Sequence, residues 1–451
     1  MSTAPSTQVT QKRSFTASAS VYVNERTSLA GFVKELGRKA FPDHWSFLLG
    51  EVALFSFVVI LISGTFLTFF FQASMAEGFT GYSLPDDLLS GNGLRIIDGL
   101  VKGIPVIGTW TSFLIFGGEF PGTQIVGRLY SLHIMLLPAL VIAFIALHLV
   151  FVVVHKHTQY AGPGKSQQNA VGPPILPIYA AKAGGFFFII FGVIALIAAL
   201  FTINPIWNYG PYDPSPVSAG TQPDWYIGFA DGALRLIPPG WEFVWLERTW
   251  SFNIIVPLVA IGIFIVLVLL YPFIEAWITG DKREHHIADR PRNAPTRTAI
   301  GAAGVTFYAG LWAAASSDIL ATHFWLTMEG VIHALQAVVI IGPFIAYFIT
   351  KRVCIALQKK DREIVLHGYE SGRIVRLPGG EYIEVHEPLD EYDRWRLVSY
   401  EAYTPLMIRP NARGKITVGQ RVRASISRWF FEDRIAPVSK GELESGHGEH
   451  H

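Results

Sequence analysis

Six stretches of the chain stay apolar for about 20 residues, at roughly 46–71, 131–154, 184–203, 253–275, 299–320 and 331–350. A helix crossing a hydrocarbon layer of about 30 Å needs that length. Lipid offers peptide groups no partners, so each stretch predicts a helix. Four carry no Asp, Glu, Lys or Arg away from their ends, and the first holds Glu51 near one end. Residues 94–118 are also apolar but are broken by Gly and Pro, which predicts short helices lying at the interface. Residues 204–252 hold five Trp and many Pro, a pattern suited to an aromatic cap at the membrane surface. Beyond residue 350 the pattern turns polar and strand-and-turn-like. The predicted architecture is an all-α integral membrane protein, a helical bundle of about six spans with a C-terminal tail. Its segments are 1–43, 44–71, 72–130, 131–203, 204–252, 253–350 and 351–451.

Lys and Arg set the orientation. Segments 1–43, 155–183 and 276–298 hold 14 of them in 95 residues, whereas the alternating segments 72–130, 204–252 and 318–330 hold 5 in 121. The richer set belongs in the cytoplasm. Both termini and the tail 351–451 are then expected inside, in a cell membrane. The end of that tail, with His447, His450 and His451, reads better as a solvated stretch than as a metal site.

Composition narrows the function. The 451 residues are 51% apolar with 16% charged, which excludes a disordered or fibrous chain and disfavours an ordinary soluble enzyme. A net charge of +1 gives no field for nucleic acid. The single Cys354 leaves no internal disulfide, no CxxC pair and no all-Cys iron–sulfur site. Residues 1–30 lack an apolar core of the kind a cleavable signal peptide carries. Fourteen histidines remain as metal-capable groups.

His133 and His148 lie on one uncharged span. Fifteen α-helical steps turn about 1500°, roughly 60° beyond whole turns, and rise about 22 Å. The two imidazoles therefore share a broad face at two membrane depths. Neutral imidazole suits haem iron, and hydrogen bonding to neighbouring helices is the equal alternative. Gly50 and Gly64 lie fourteen apart on the first span, nearly in line and about 21 Å apart. By spacing alone, small-residue helix packing is the better explanation, and close approach of flat macrocycles the other. Arg128, just outside the second span, suits a headgroup anchor or a partner for a propionate. In Pro223-Asp224-Trp225-Tyr226, a carboxylate beside aromatics at the membrane edge could take a proton from a hydroquinone. An isolated tetrapeptide of this kind is more often a turn.

Together these residues resemble a family, the cytochrome b subunit of quinol–cytochrome c reductases, and most of all its actinobacterial type. The resemblance runs from about Phe41 to His386. It is carried by FPDHWSFLLGE (41–51), GYSLPDDLLSG (81–91), RLYSLH (128–133), HKHTQYAGPGK (155–165), INPIWNYGPY (203–212), QPDWY (222–226), TGDKREHHIADRPRNAPTRTAIG (279–301) and HGYESGRIVRLPGGEYIEVHEP (367–388). The resemblance implies that His133 and His148 are axial ligands of two haems b, outer and inner. It implies haem-facing roles for Gly50, Gly64 and Gly81 and a propionate contact for Arg128. Pro223, Asp224, Trp225 and Tyr226 match the outer Pro-Glu-Trp-Tyr quinol-oxidation motif, with Asp224 in place of Glu. Asp224 and Tyr226 would help take protons from menaquinol. His155, His157 and Lys182 stand where an inner quinone-reduction site is implied, although Ala183 replaces an acidic residue found in many relatives. The implied partners are a Rieske-type iron–sulfur subunit, a cytochrome c subunit, a terminal oxidase in a supercomplex, menaquinol and membrane lipid, in a dimeric complex.

The chain also departs from that pattern. Family members have eight spans, and each haem takes one His from the second helix and one from the fourth. Here the first span runs out at Phe71-Gln72-Ala73-Ser74-Met75 and passes into Ala76-Glu77-Gly78-Phe79, which resembles the end of the third family helix. The second span and nearly all of the third are absent, at least ~40 residues of crossing chain. His323 and His333, ten apart around the start of the last span, are poor substitutes. Losing two spans preserves parity, so the downstream charge pattern still alternates. Three function classes remain open. They are an electron-transfer subunit with haem, a deleted or degenerate membrane subunit that docks partners, and a transporter or channel. For the last there is no repeat of broken helices and no charged intramembrane path.

Overall fold

A computed structural model describes residues 21–22, 24–68, 88–120, 122, 125–201, 210, 213, 227–398, 404–408, 410, 416–432, 434–439 and 441–442. The Met75–Ala76 junction, Gly81, the Pro223–Tyr226 motif and the terminal histidines lie outside them. After a short helix α1 (Leu29–Arg38) comes α2 (Leu48–Thr68), whose 21 residues contain one charge, Glu51. The interfacial stretch folds as α3 (Leu88–Lys102) and α4 (Gly108–Phe116). The turn between them is tight: a Cβ on Gly108 would sit 2.4 Å from the Val101 carbonyl oxygen, so only glycine fits. Buried Asp98 is held there by Ser112 and by Lys102, at 2.7 Å. Phe116, Leu94, Ile125 and Leu129 form a small core around it.

The chain enters the next span through α5 (Ile125–Ser131), makes a π turn over Leu132–Leu136, and continues as α6 (Leu137–His155). It then recrosses in α7 (Ala180–Leu200). The Trp-rich segment contains α8 (Gly228–Leu236) and a hairpin of β1 (Glu242–Trp245) and β2 (Arg248–Ser251). Antiparallel pairing of β1 with β2 sets Phe243 opposite Trp250 and leaves Trp241 and Trp245 exposed.

Three spans follow: α9 (Phe252–Thr279), α10 (Pro295–Ala315) and α12 (Met328–His367), with α11 (Ser317–His323) between the last two. Thr327 caps α12 by accepting from the Gly330 amide at 3.2 Å. Small residues make this packing close. Ala233, Ala260, Leu311 and Ala314 form its core, and a Cβ on Gly232 would overlap the Leu311 carbonyl oxygen at 1.6 Å. Among the described residues six helices are thus long and apolar enough to cross a membrane, matching the six expected.

The tail is more helical than its composition suggests. Helix α12 runs unbroken for 40 residues, well past the apolar stretch. A hairpin of β3 (Tyr369–Arg376) and β4 (Tyr382–Glu387) follows, as the strand-like sequence predicts. Two helices end the described chain, α13 (Glu391–Val398) and α14 (Val418–Phe431). Thr417 and Gln420 form a capping box at the start of α14. Arg423 on α14 donates to the Trp277 carbonyl at 2.6 Å, which docks the tail on the end of α9.

Candidate functional site

The two intramembrane histidines occupy the most open span. Helix α6 makes no extended contact with any other span, and none of its residues is buried. His133 lies in the π turn and is half-exposed, and His148 is exposed. Among the described residues neither imidazole has a hydrogen-bond partner, which leaves the helix-bonded alternative without support here. A π turn advances less than 100° per residue, so it reduces the 60° offset expected for a regular helix and brings His133 toward the line of His148. Wide turns of this kind interrupt α-helices most often at functional sites.

Gly50 and Gly64 also face open space. A Cβ built on either would meet nothing within 4 Å. Helix α2 packs on α7 through Phe55, which meets Phe186 and Phe187 edge-on, rather than through its glycines. Small-residue packing is therefore not what these two positions do among the described residues. Arg128 Nη1 donates to the carbonyls of Leu114 and, at 3.4 Å, Ile115. These carbonyls end α4, and a guanidinium is favourable at a helix C-terminus.

At the opposite end of α6 the residues converge. Lys39 donates to the Val153 carbonyl at 3.1 Å, and the Phe41 amide to the Pro173 carbonyl at 2.9 Å. These two bonds bring 39–51, 153–160 and 173–182 together. The His157 ring packs against Phe41 (4.6 Å between centroids) and Phe47 (4.3 Å). Its Nδ1 lies 2.6 Å from the Thr158 carbonyl, which only accepts, so Nδ1 carries the proton and Nε2 is the ring's acceptor. Lys182 pairs with Asp43, and the Tyr179 hydroxyl donates to Glu51. The second Glu51 oxygen, Oε2, is buried without a partner among the described residues. His155 stands apart, exposed, with its ring 5.9 Å from Phe151. The structure thus unites His157 and Lys182 and adds Asp43, Glu51 and Tyr179, which the motifs did not single out. The available signal was Glu51 itself, a lone acid inside an apolar span.

On the other side of the membrane, α8 follows directly after the Pro223–Tyr226 motif. Arg235 binds Asp231 at 2.7 Å and Asp318 at 2.8 Å, tying α8 to α11. Burial outweighs the nearby Arg235 and holds the Asp231 carboxyl above its usual range. This ion-paired base anchors the chain immediately downstream of the motif. Among the described residues no group of three or more His, Cys, Asp or Glu could hold a bare metal ion.

Comparison with known proteins gives consistent results. A family described as "Cytochrome b(N-terminal)/b6/petB" matches residues 55–211. The chain is 41% identical to the "Cytochrome bc1 complex cytochrome b subunit" of Streptomyces coelicolor, over 95% of this chain and 96% of that one. The protein of the same name from Mycobacterium tuberculosis is 40% identical, over 83% and 84%. A solved structure titled "Hyperthermophilic respiratory Complex III" superposes with a TM-score of 0.53 at 17% identity, over 74% of this chain and 98% of that one, and shares the fold. The Streptomyces alignment runs over 523 positions, whereas 95% of 451 residues is about 428. About 95 positions of that relative therefore face no residue here. The Mycobacterium alignment gives about 90 by the same reasoning, from 464 positions and 83% of the chain. Either number suffices for two spans and their connections.

Proposed function

The chain belongs to the cytochrome b subunits of bc1 complexes, and from that membership we propose that it binds haem b and oxidises menaquinol at the outer membrane face. The observation that carries this reading is the pair His133 and His148, unpartnered imidazoles at two depths of one uncharged span, in a chain alignable with such subunits almost end to end. Cytochrome b implies haem b. The residues present fit it on one side. His133 and His148 would hold the haem iron through a ring nitrogen, and the open faces at Gly50 and Gly64 would leave room for a flat ring.

When bound, haem b supplies one-electron transfer. The chain's own residues handle binding and protons. At the outer face Asp224 accepts a proton from the quinol hydroxyl, and Tyr226 holds the substrate oxygen by a hydrogen bond. Pro223 and Trp225 shape the site. At the inner face Lys182, His157 and His155 bind the quinone, with His157 presenting Nε2 and Lys182 steadied by Asp43. Glu51 and Tyr179 stand beside them as a hydroxyl–carboxyl pair able to deliver a proton. A Rieske-type iron–sulfur subunit and a cytochrome c subunit receive the electrons outside. A terminal oxidase joins in a supercomplex, the complex is dimeric, and both termini lie in the cytoplasm.

A second reading has its own observation. About 95 aligned positions are missing and α6 is uncovered. On this reading the chain is a catalytically impaired member that docks the partner subunits. Menaquinol–cytochrome c reductase activity of the assembled complex separates the two. The first reading predicts turnover that falls on the order of a hundredfold or more in D224N, the usual scale for losing a general base. A complex that assembles and shows no turnover above the D224N level leaves only the docking role.

A further inference from the structure

Where α12 leaves the apolar layer, a groove of about 610 Å³ opens between α12, α10 and the tail helix α14. Its floor is apolar. Phe344 and Phe348 line it on α12 and are 66% and 60% exposed, with Ala303 of α10 as the opposite wall. At the mouth stand Lys351, whose Nζ lies 5.9 Å from the Tyr347 ring, and the exposed Arg352. Trp429 of α14 closes one side. From Phe344 to Arg352 the helix rises about 12 Å, so the groove extends from a cationic rim well into the hydrocarbon depth.

The residues lining the groove include two cations, Lys351 and Arg352, and no acid. Residues 351–360 contain Lys351, Arg352, Lys359 and Lys360 and no acid. Helix α14 carries Arg421, Arg423 and Arg428 and no acid, while Ala424, Ser427, Phe430 and Phe431 are buried on its inner side. A basic helix with an exposed Trp beside an apolar crevice has the features of an anionic lipid contact. We propose that this groove binds an anionic phospholipid, with its phosphate between Lys351 and Arg352, one acyl chain over Phe348 and Phe344, and its glycerol region against Trp429. The site rests on α12 leaving the membrane at residue 351 and is independent of haem binding. It makes the tail helix one wall of a lipid site, so lipid occupancy couples α14 to the last span.

The test is lipid retention by the full chain. The protein is reconstituted in nanodiscs of equal phosphatidylglycerol and phosphatidylcholine, re-extracted in detergent, and its bound phospholipid counted by native mass spectrometry. The wild type is expected to keep phosphatidylglycerol over phosphatidylcholine by about thirtyfold, the scale expected of two interfacial cations. K351Q/R352Q should lose that preference, and K351R/R352K should keep it. K359Q/K360Q, which removes the same charge outside the groove, should also keep it. W429A tests the wall without changing charge and should lower retention, which keeps the proposal testable if K351Q/R352Q fails to fold. Equal retention by wild type and by folded K351Q/R352Q, or equal loss in K359Q/K360Q, overturns the site. So does an assembled complex in which a partner's helix cross-links into the groove and no phospholipid is retained.

Discussion

His133 and His148 carry more of the account than any other residues, and their environment decides their role. An imidazole facing hydrocarbon without a hydrogen bond is costly, so a span keeps it only for a purpose. Haem coordination supplies one. H133A and H148A should each remove about half of the haem absorbance from the purified protein, and the double variant all of it. Pyridine haemochrome assay against protein concentration measures this. A second residue-scale expectation concerns Asp281, just beyond α9. Arg283 donates to it from its side chain and backbone and lowers its carboxyl from 3.8 to about 2. The folded form therefore binds this proton less readily than the unfolded one. Its contribution to stability is complete above about pH 4 and is lost as pH falls toward 2. Hydrogen exchange of residues 280–288 should quicken over that window in the wild type, whereas D281N should show no such step. The sequence displayed the two histidines and Asp224 directly, because each is a chemical oddity in its segment. It displayed Glu51 as a lone acid but not the cluster around it, because Asp43, Glu51 and Tyr179 come from segments far apart in the chain that meet only in the fold.

At the scale of elements, hydrophobic length was legible and pairing was not. All six spans were readable from apolar runs, since lipid leaves the backbone no other solution. Which span touches which depends on small residues such as Gly232 and Ala314, whose spacing carries no label of its partner. The tail hairpin was readable from its strand-like pattern, but the unbroken continuation of α12 was hidden by the change from apolar to polar residues at Lys351. Helix α6 is the exposed element. A spin label introduced by F144C in a C354S background should collide freely with oxygen in the isolated chain, because Phe144 is 66% exposed on α6. A protected label would mean that another span covers this face. Helix α8 offers a stability test. R235A strips the shared cation from Asp231 and Asp318, each partly shielded from water. The expected loss is about 1–2 kcal/mol, the range for hydrogen bonds to charged groups with partial exposure, and is seen as a lower Tm.

The whole molecule presents a conserved frame with a gap in it. Identity of 41% over 95% of the chain fixes the family, and the roughly 95 unmatched positions of the relative fix the size of what is missing. From the resemblance of Ala76–Phe79 to the end of a family helix we propose that the gap lies at the Met75–Ala76 junction, outside the described residues. Removing an even number of spans keeps every later loop on its own side, which is why the charge alternation survives. The gap costs the assembly something other than topology. Among the described residues helix α6 has no buried residue and no extended contact with another span. The direct measurement is a reduced-minus-oxidised spectrum of the purified, mass-verified 49.9 kDa chain, with its haem-to-protein ratio. The account predicts a b-type haem signal that depends on His133 and His148. A haem-free chain would contradict it.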